Sequence, residues 1–293
     1  MKILLTGVTG QVGFELQSAL ASLGEVIALT RQELDLADAA SIVSVLNHYQ
    51  PDIIVNPAAY TAVDKAETEI AQAMAINADA PKVMAAWVEK NSAFLVHYST
   101  DYVFDGTKDS PYIESDNTNP QSVYGHSKCL GEEAIRATTV RHLILRTSWV
   151  FGVHGHNFMK TILRLAKERE SLNIVADQWG APTSAELIAE LSALMIQRYL
   201  ASPTSFNYGT YHLSAHGATT WYDYARYIVQ LASTKQVPLI VTENAIYPIP
   251  SSAYPVPAVR PANSRLNCNK LASYLAVSIP DWQQGVAKVI AAL

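Results

Sequence analysis

Short apolar runs alternate with helical patterns along the first half of this chain. The runs are Lys2–Leu5, Glu25–Leu29, Asp52–Val55, Phe94–Tyr98 and Leu143–Arg146. Strands that are buried on both faces of a parallel sheet have this form. The helical patterns that separate them are Phe14–Leu23, Ala66–Asn77 and Ala80–Lys90. The alternation predicts an α/β fold with a doubly wound parallel sheet.

The second half of the chain is mainly helical in pattern. Its helical stretches are Phe158–Lys167, Ala185–Tyr199 and Trp221–Ala232. Ser184 and Thr220 precede the last two and are predicted to cap them. A short strand is predicted at Tyr211–Ala215. The segment Tyr247–Pro261 contains five prolines and follows neither period, so we predict an ordered loop or a lid there.

A glycine-rich turn follows the first predicted strand. Its glycines are Gly7, Gly10 and Gly13, and a helical pattern comes directly after them. The first permits a tight turn, the second lets the backbone approach a pyrophosphate, and the third allows close helix packing. The free N–H groups of the helix N-terminus then attract the anion. The spacing is G-x-x-G-x-x-G rather than G-x-G-x-x-G. We predict a dinucleotide site, with a purely structural turn as the alternative.

The end of the second predicted strand bears on which nicotinamide cofactor binds. Sites specific for NAD usually place an acid here to hold the ribose 2′-hydroxyl group. This chain has Arg31 instead, which could accept a 2′-phosphate, or could be a solvated loop residue. NADPH is therefore favoured, with NADH as an alternative. Asp35 and Leu36 follow and could cover the adenine edge.

Two later strand ends bring small and polar residues to the same edge of the sheet. Asn56-Pro57-Ala58-Ala59-Tyr60 leaves room for a ligand, and Ser99-Thr100-Asp101 supplies a hydroxyl that could donate to a carbonyl oxygen. Asn77 interrupts an apolar helical stretch, where a polar side chain needs a partner. It could hold a water, kink the helix, cap it or lie on the surface.

Tyr124 and Lys128 are four residues apart in a predicted helix and so would lie on one face. An ammonium group beside a phenol favours the phenolate, so Lys128 is expected to lower the pKa of Tyr124 toward a range useful for acid–base catalysis. The pair by itself is also compatible with an exposed helix face. Its meaning depends on the glycine turn and the two strand ends that precede it.

Composition excludes several classes of protein. The net charge is −5 with no basic block, so nucleic acid is not an expected partner. Two cysteines, Cys129 and Cys268, suggest neither a disulfide framework nor a metal site, and they suit a reducing cytoplasm. The first residues are predicted to be neither a signal peptide nor a membrane span. The eight histidines show no metal spacing, and His154 and His156 in a glycine loop are only weak candidates.

The motifs together resemble the extended short-chain dehydrogenase/reductase superfamily, and within it the dTDP-4-dehydrorhamnose reductase family. The motifs are TGVTGQVG, NPAAYTAVDKAE, STDYVFDG, YGHSK, RTSWVFG, GAPTSAEL and RPANSRL. The resemblance runs from Met1 to about Leu271. It implies a Rossmann-type domain over residues 1–150 and a smaller C-terminal α/β lobe over residues 151–293 that binds a sugar nucleotide, with some chain crossing back.

The resemblance also implies roles for individual residues. Tyr124 would protonate the C4 oxygen of the sugar, Lys128 would hold the nicotinamide ribose, and Thr100 would polarise the carbonyl. The residues implied to line the cofactor are Gly7, Gly10, Gln11, Val12, Asp35, Leu36, Ala58, Ala59 and Tyr60. Those implied to touch the dTDP-linked 4-keto sugar are Thr100, Asp101 and Trp149, with Val63 nearby and Tyr102 beside them.

Two further substrate residues follow from position. Trp149 lies beyond a predicted strand end and could stack on a sugar or base, although a lone tryptophan is often part of a core. Arg260 could bind a diphosphate, because guanidinium matches phosphate oxygens with two donors, or it could form a structural salt bridge.

Some members of the family form dimers through a magnesium ion held by glutamates. Glu15 and Glu186 match two such ligands, but the chain ends in VIAAL without a C-terminal acid. We therefore predict no metal site and keep these glutamates only as candidates, with the protein a monomer or homodimer.

Two rival functions remain on the same fold. One is a nucleotide-sugar epimerase or dehydratase, although Asp101 is followed by Tyr102 rather than by the second acid that dehydratases commonly have. The other is a regulatory subunit of the kind that partners methionine adenosyltransferase and binds a nicotinamide nucleotide without turnover.

Overall fold

The computed structural model describes all 293 residues and is organised around a parallel sheet of six strands. The strands are β1 (Lys2–Leu5), β2 (Glu25–Ala28), β3 (Ile53–Asn56), β4 (Phe94–Thr100), β5 (His142–Thr147) and β10 (Gly209–His212). Their order across the sheet is β10-β5-β4-β3-β1-β2, and every neighbouring pair is parallel. The order reverses at β1, so the predicted doubly wound α/β sheet is confirmed.

The sequence places these strands to within a few residues. β4 extends two residues beyond the predicted end, so that Thr100 is its last residue. β10 begins two residues before the predicted start of its strand and ends three residues before the predicted end. The remaining strands form three small pairs: β6 (Val150–Phe151) with β9 (Thr183–Ser184), β8 (Trp179–Gly180) with β11 (Thr219–Thr220), and β7 (Leu172–Val175) with β12 (Ile246–Ile249).

Helices cover both faces of the main sheet. They are α1 (Gln11–Leu20), α2 (Ala39–Tyr49), α3 (Val63–Ala66), α4 (Ile70–Met74), α5 (Ala80–Asn91), α6 (Val123–Thr138), α7 (Phe158–Glu168), α8 (Ala185–Ala201), α9 (Trp221–Thr234), α10 (Asn269–Leu275) and α11 (Trp282–Ala292). The predicted caps of α8 and α9 are confirmed, because Ser184 accepts from Leu187 N and Thr220 accepts from Asp223 N. None of the helices is both long and apolar enough to cross a lipid bilayer.

The single helix predicted at Ala66–Asn77 is wrong. The chain forms α3, breaks, forms α4, and then passes through a π-helical turn at Ala75–Asp79 directly into α5. Apolar periodicity cannot show such a turn, because the extra residue per turn depends on which groups the helix packs against.

The proline-rich segment is also more regular than predicted at its start. Residues 247–249 belong to β12, which pairs in parallel with β7, and a short helical turn follows at Ser251–Ala253. Pro248 lies in β12. Both strands of a two-stranded sheet are edge strands, and an edge strand tolerates a residue without an N–H group. Farther along, Ala258 N donates to Asp64 Oδ1 at 3.3 Å, which ties the segment to the first half of the chain.

The two halves of the chain share one large core. α8 packs against α1, and β10 completes one edge of the main sheet, so the chain after residue 150 returns repeatedly to the first half. The larger hydrophobic cluster contains residues of both halves, for example Leu16 and Ile188. A smaller cluster under α2 and α5 covers the opposite face. The division of the chain near residue 150 stays a prediction.

Helix α6 is held to the sheet by a buried ion pair. Glu132 is fully buried, and its two carboxylate oxygens accept from Arg146 Nε at 2.8 Å and Arg146 Nη2 at 2.6 Å. Arg136, on the helix surface, donates to the same carboxylate at 2.8 Å. The backbone of α6 also lies close to its neighbours, because a Cβ atom added to Gly125 or Gly131 would stand 2.2 Å from a carbonyl oxygen.

The ion pair leads to a prediction about stability. Glu132→Leu leaves the buried Arg146 charge unpaired and should lower the free energy of unfolding by about 3–5 kcal/mol. Adding Arg146→Met removes that charge, so the double variant should be more stable than the single one. Urea denaturation followed by circular dichroism measures both. A single variant within about 1 kcal/mol of wild type would show that the pair does not anchor the helix.

Candidate active site

Tyr124 and Lys128 lie one turn apart near the start of α6, and both side chains are buried. Ser122 caps this helix through Gly125 N at 3.1 Å, and so fixes where it begins. The exposed helix face considered as an alternative is therefore wrong. Tyr124 packs with Ala66, Ala73 and the partly buried Val63 and Tyr102.

The phenol of Tyr124 holds its proton firmly. Burial raises the pKa of Tyr124, the Thr100 hydroxyl lowers it in part, and the Asp101 carboxylate raises it further. The expected lowering of this pKa by Lys128 is not found. The lysine Nζ is turned to strand β4, where it donates to Tyr98 O at 2.6 Å and lies 3.1 Å from His97 Nε2. Spacing along a helix predicts a shared face, but it does not predict which third group the side chain reaches.

Lys128 is itself perturbed. Burial lowers the pKa of Lys128 to about 8, and the nearby Glu132 carboxylate acts in the opposite direction. Lys128 therefore loses its proton at a lower pH than an exposed lysine does.

The end of β4 brings three polar groups to Tyr124. Thr100 Oγ1 donates to Asp101 Oδ1 at 3.0 Å and accepts from Tyr102 N at 3.2 Å. Asp101 is almost fully buried and its Oδ2 has no partner. Burial raises the pKa of Asp101 to about 6, and the nearby hydroxyl groups of Ser264 and Thr100 offset part of this effect. The Tyr102 ring meets the Tyr124 ring edge-on at 5.5 Å, and burial raises the pKa of Tyr102 to about 12.

The glycine turn has the geometry that an anion site needs. Gly7 has a φ of +60°, and an added Cβ would stand 2.9 Å from Ala58 Cα. At Gly13 an added Cβ would stand 2.1 Å from Gly7 O, so the helix packs directly on the turn. Gly10 precedes α1 and offers no side-chain cap, which leaves the N–H groups of Gln11 and Val12 without an intrahelical partner. These groups fit a phosphate.

The loop after β6 contacts this turn from the second half of the chain. His154 Nε2 lies 3.0 Å from Thr9 O, and its ring stacks on Phe14 at 4.3 Å. Gln11 accepts from Asn157 Nδ2 at 2.9 Å and donates to Val150 O at 3.4 Å. Gln11 therefore joins the two halves at the predicted pyrophosphate site. His154 packs against the turn and belongs to no metal cluster.

The predicted adenine end is an open pocket. It is lined by Arg31, Tyr60, Thr68, Glu69, Ile70, Ala71 and Gln72. Arg31 is exposed, and Tyr60 donates to Glu69 Oε2 at 2.5 Å. Asp35 is exposed and accepts from Ala37 N at 3.0 Å, whereas Leu36 is buried in the smaller core cluster. Leu36 thus packs mainly against protein, which leaves less of it to cover an adenine.

The π-helical turn gives Asn77 a defined function in the structure. Asn77 Oδ1 accepts from Tyr60 N at 2.9 Å, and Nδ2 donates to Tyr60 O and to Ser127 Oγ, both at 3.0 Å. It is buried, so neither the capping nor the surface interpretation is right. Asn77 fixes the backbone of Tyr60 against α6.

Both residues proposed for the substrate from their positions have protein partners. Trp149 has a φ of +48°, and its ring stacks on Trp221 at 3.5 Å, which covers one face. Arg260 Nη2 donates to Asp64 Oδ2 at 2.7 Å, so it forms the structural salt bridge considered as an alternative. The Arg260 side chain is 30% exposed and also reaches Tyr102.

The magnesium candidates lie near each other, but within one chain they have no third ligand. Glu15 and Glu186 are close enough that Glu186 adds to the effect of burial in raising the pKa of Glu15. Glu186 Oε2, however, accepts from Lys288 Nζ at 3.0 Å, and no third acidic, histidine or cysteine side chain joins the pair.

Sequence reasoning missed one buried group behind Lys128. His97 lies in the middle of β4 with no exposed surface, between Lys128 and Asn56. The signal was available, because His97 interrupts the apolar start of β4 and Asn56 ends the apolar run of β3.

The family model described as RmlD substrate binding domain matches residues 1–293. The dTDP-4-dehydrorhamnose reductase of Escherichia coli strain K12 is 47% identical over 294 residues, which cover 99% of this chain and 97% of that protein. The protein of the same name from Burkholderia thailandensis is 48% identical over 293 residues, 98% of this chain and 97% of that protein.

Solved structures agree with this similarity. A dTDP-4-dehydrorhamnose reductase from Clostridium acetobutylicum has a TM-score of 0.90 at 35% identity and covers 100% of this chain and 99% of its own. The Bacillus anthracis enzyme, in complex with NADP, has a TM-score of 0.88 at 33% identity, with 100% and 99% covered. A UDP-glucose 4-epimerase from Thermus thermophilus shares the fold alone, with a TM-score of 0.79 at 18% identity over 99% of this chain and 98% of its own.

The raised pKa of Asp101 leads to a prediction about pH. Its folded value of about 6 is above the ordinary 3.8, so between these values the folded state binds more protons than the unfolded state. Stability from this group is therefore lost as pH rises through that window, by about 3 kcal/mol in all. Asp101→Asn cannot ionise, so its stability relative to wild type should increase from pH 4 to pH 7. Urea denaturation at both pH values measures the difference, and a constant difference would contradict it.

Proposed function

Because the chain belongs to the dTDP-4-dehydrorhamnose reductase family, through its full-length match to the RmlD substrate binding domain, we propose that it reduces the C4 keto group of dTDP-4-dehydro-L-rhamnose to dTDP-L-rhamnose with NADPH. The observation that carries the proposal is the convergence of Tyr124, Thr100 and Lys128 at the end of β4, beside the glycine turn. NADH is the alternative cofactor. We place the reaction in the cytoplasm, in a monomer or homodimer.

Tyr124 is the acid in this reaction. When bound, the nicotinamide supplies the hydride that reaches C4. Tyr124 then donates its phenolic proton to the C4 oxygen, which becomes a strong base as it gains charge. The raised pKa of Tyr124 suits this role, because the phenol stays protonated at neutral pH until that stronger base forms beside it.

Thr100 and Lys128 support the acid from two sides. The Thr100 hydroxyl is near the phenol. It donates to Asp101 Oδ1, and it would have to turn from that carboxylate to donate to the carbonyl oxygen and stabilise the charge that develops there. Lys128 is held by Tyr98 O behind the phenol, and its remaining N–H groups can hold the nicotinamide ribose. Both groups are buried, so their charges and dipoles act in a site from which water is largely excluded.

The cofactor would lie across the carboxyl edge of the sheet. The unpaired N–H groups of Gln11, Val12 and Gly13 would bind the pyrophosphate, and Gly7 and Gly10 keep side chains away from it. The segment Ala58–Tyr60, which Asn77 holds at Tyr60, would line the middle of the cofactor. Arg31 would bind the 2′-phosphate in the open pocket, with Asp35 and Leu36 near the adenine.

The dTDP-linked sugar would bind on the side of the second half of the chain, which we propose to be the substrate lobe of residues 151–293. Val63, Tyr102 and Trp149 would surround the sugar beside Thr100 and Asp101. Arg260 is 2.7 Å from Asp64, so a diphosphate would have to share the guanidinium with that carboxylate. Arg260 has free donors left for this, because Asp64 engages only Nη2.

The experiment that tests the proposal is oxidation of NADPH by the purified protein, with and without dTDP-4-dehydrorhamnose, with NADH in parallel. We expect oxidation that depends on the sugar nucleotide and yields dTDP-L-rhamnose. Binding of both ligands without oxidation would favour the regulatory interpretation. Cofactor that stays tightly bound and is regenerated would favour an epimerase or dehydratase.

Tyr124→Phe should lower turnover by roughly 10²-fold or more, because the reaction loses its acid. Binding of NADPH, followed by fluorescence titration, should be nearly unchanged. Tyr211→Phe is the matched control, since Tyr211 is also buried but donates to Asn207 O at 2.8 Å, away from the site. Near-full activity in Tyr124→Phe would remove this residue from the mechanism.

Arg31→Ala should weaken binding of NADPH more than binding of NADH, because only NADPH carries the 2′-phosphate. The ratio of KM values for the two cofactors measures the effect. Arg164→Ala, an exposed arginine on α7, serves as the control for a general loss of positive charge. Equal changes for both cofactors would mean that Arg31 does not bind this phosphate.

A further inference from the structure

A line of buried polar groups runs behind the active-site lysine. It consists of Thr6, Asn56, His97 and Lys128, and we refer to it as the relay. Thr6 Oγ1 lies 2.7 Å from Asn56 Oδ1, Asn56 Nδ2 lies 3.2 Å from His97 Nδ1, and His97 Nε2 lies 3.1 Å from Lys128 Nζ. None of the four is more than 2% exposed. Polar groups in an interior this dry must satisfy one another.

The relay is fixed at both ends by backbone groups. Lys128 Nζ donates to Tyr98 O at 2.6 Å, and Thr6 Oγ1 accepts from Ala58 N at 3.3 Å. Ala58 is part of the segment proposed to line the cofactor. Asn56 and His97 face each other as register partners on β3 and β4, so the sheet itself sets their separation. The relay thus connects Lys128, through the centre of the sheet, to the segment Ala58–Tyr60 that is proposed to line the cofactor.

The charge on Lys128 restricts which ring nitrogen of His97 carries the proton. A neutral imidazole has one N–H donor and one bare acceptor nitrogen, while an ammonium group can only donate. If Lys128 is charged, His97 Nε2 must accept from it, Nδ1 then carries the proton, and Asn56 must present its oxygen to Nδ1. If Lys128 is neutral, Nε2–H can donate to the amine, and Nδ1 accepts from Asn56 Nδ2. Asn56 has the second orientation in the structure.

A doubly protonated imidazole does not offer a third arrangement. Burial and the adjacent Lys128 charge hold the pKa of His97 well below its usual range, so the ring stays neutral. The only proton that the relay loses or gains near neutral pH is therefore that of Lys128, whose pKa burial lowers to about 8. Lys128 exchanges this proton with solvent. The number of protons on Thr6, Asn56 and His97 does not change.

We propose that His97 and Asn56 position Lys128 for the reaction, and that the hydrogen bonds of the relay reverse direction when the lysine loses its proton. This inference rests on the proposed reductase function for its kinetic consequence only. In the charged arrangement, Lys128 Nζ donates to His97 Nε2. Its remaining N–H groups can then donate to the cofactor ribose. His97 thereby favours the ammonium form in a site where burial opposes it.

The other charged groups around Lys128 do not take over this role. Glu132, one turn farther along α6, favours the ammonium form but is engaged by Arg146 and Arg136. Tyr124 precedes Lys128 by one turn, and Asp101 acts on the Tyr124 phenol at the end of β4. None of these groups is within hydrogen-bond reach of the Lys128 Nζ, whereas His97 is.

The direct test is ¹⁵N NMR of the intact protein labelled at histidine, which distinguishes a protonated from a bare ring nitrogen. The His97 signals are identified by their loss in His97→Gln. From pH 6 to pH 9.5 we expect the His97 proton to shift from Nδ1 to Nε2, with a midpoint near the Lys128 pKa of about 8. In Lys128→Met the shift with pH should disappear. A His97 that keeps one tautomer throughout, or that shifts equally in Lys128→Met, would overturn the proposal.

His212 is an internal control for this measurement. It is equally buried on β10, and its Nδ1 lies 3.0 Å from Tyr112 O, a carbonyl that can only accept. Its proton should remain on Nδ1 at every pH, and a change there would report unfolding. No turnover is needed, so a failure of the reductase assignment leaves this result intact.

The kinetic arm separates positioning from a structural role. Gln at position 97 retains an acceptor near Nε2, whereas Phe retains the ring without one. We expect His97→Phe to move the alkaline limb of the kcat profile about one pH unit lower, because the ammonium form loses a hydrogen bond. His97→Gln should restore the wild-type limb. A lower kcat in both variants without movement of the limb would overturn the positioning role.

Discussion

The ion pair between Glu132 and Arg146 is the constraint on which the active site depends. Tyr124, Lys128 and Glu132 follow one another at intervals of four residues, so they form one stripe on the buried face of α6. Glu132 joins this stripe to β5 through two hydrogen bonds of 2.8 Å and 2.6 Å. Because a helix moves as a rigid body over two turns, fixing Glu132 also fixes Lys128 and Tyr124 against the end of β4.

The same stripe explains why a largely apolar sheet tolerates so many buried charges. Arg146 lies between Ser99 and His212 in register across three neighbouring strands, and its guanidinium also lies 5.0 Å from the Phe104 ring centroid. A buried pair of this kind contributes little net stability, since desolvation offsets the attraction. What it supplies is a defined position for α6, which apolar contacts alone would specify less sharply. Burying Glu132 and Arg146 costs desolvation free energy, and the result is a fixed position for the catalytic residues on α6.

The sequence allowed much of the architecture to be predicted, for identifiable reasons. Apolar runs and helical periods depend on burial alone, so β1, β3, β4 and α8 could be located from composition along the chain. The shared face of Tyr124 and Lys128 follows from helix geometry. The π-helical turn, the β12 pairing and the stacking of Trp149 on Trp221 depend instead on groups distant in sequence. No local pattern carries that information.

The error about the Tyr124 pKa shows what the site requires of its ligands. A cation one turn away was expected to favour the phenolate, but Lys128 Nζ contacts Tyr98 O and His97 instead. Asp101, Tyr102 and burial all favour the neutral phenol. The protein alone therefore stores a proton on Tyr124 rather than releasing it. Proton transfer then depends on the strong base that reduction of a carbonyl creates at this position, which ties the release of the proton to the arrival of the hydride.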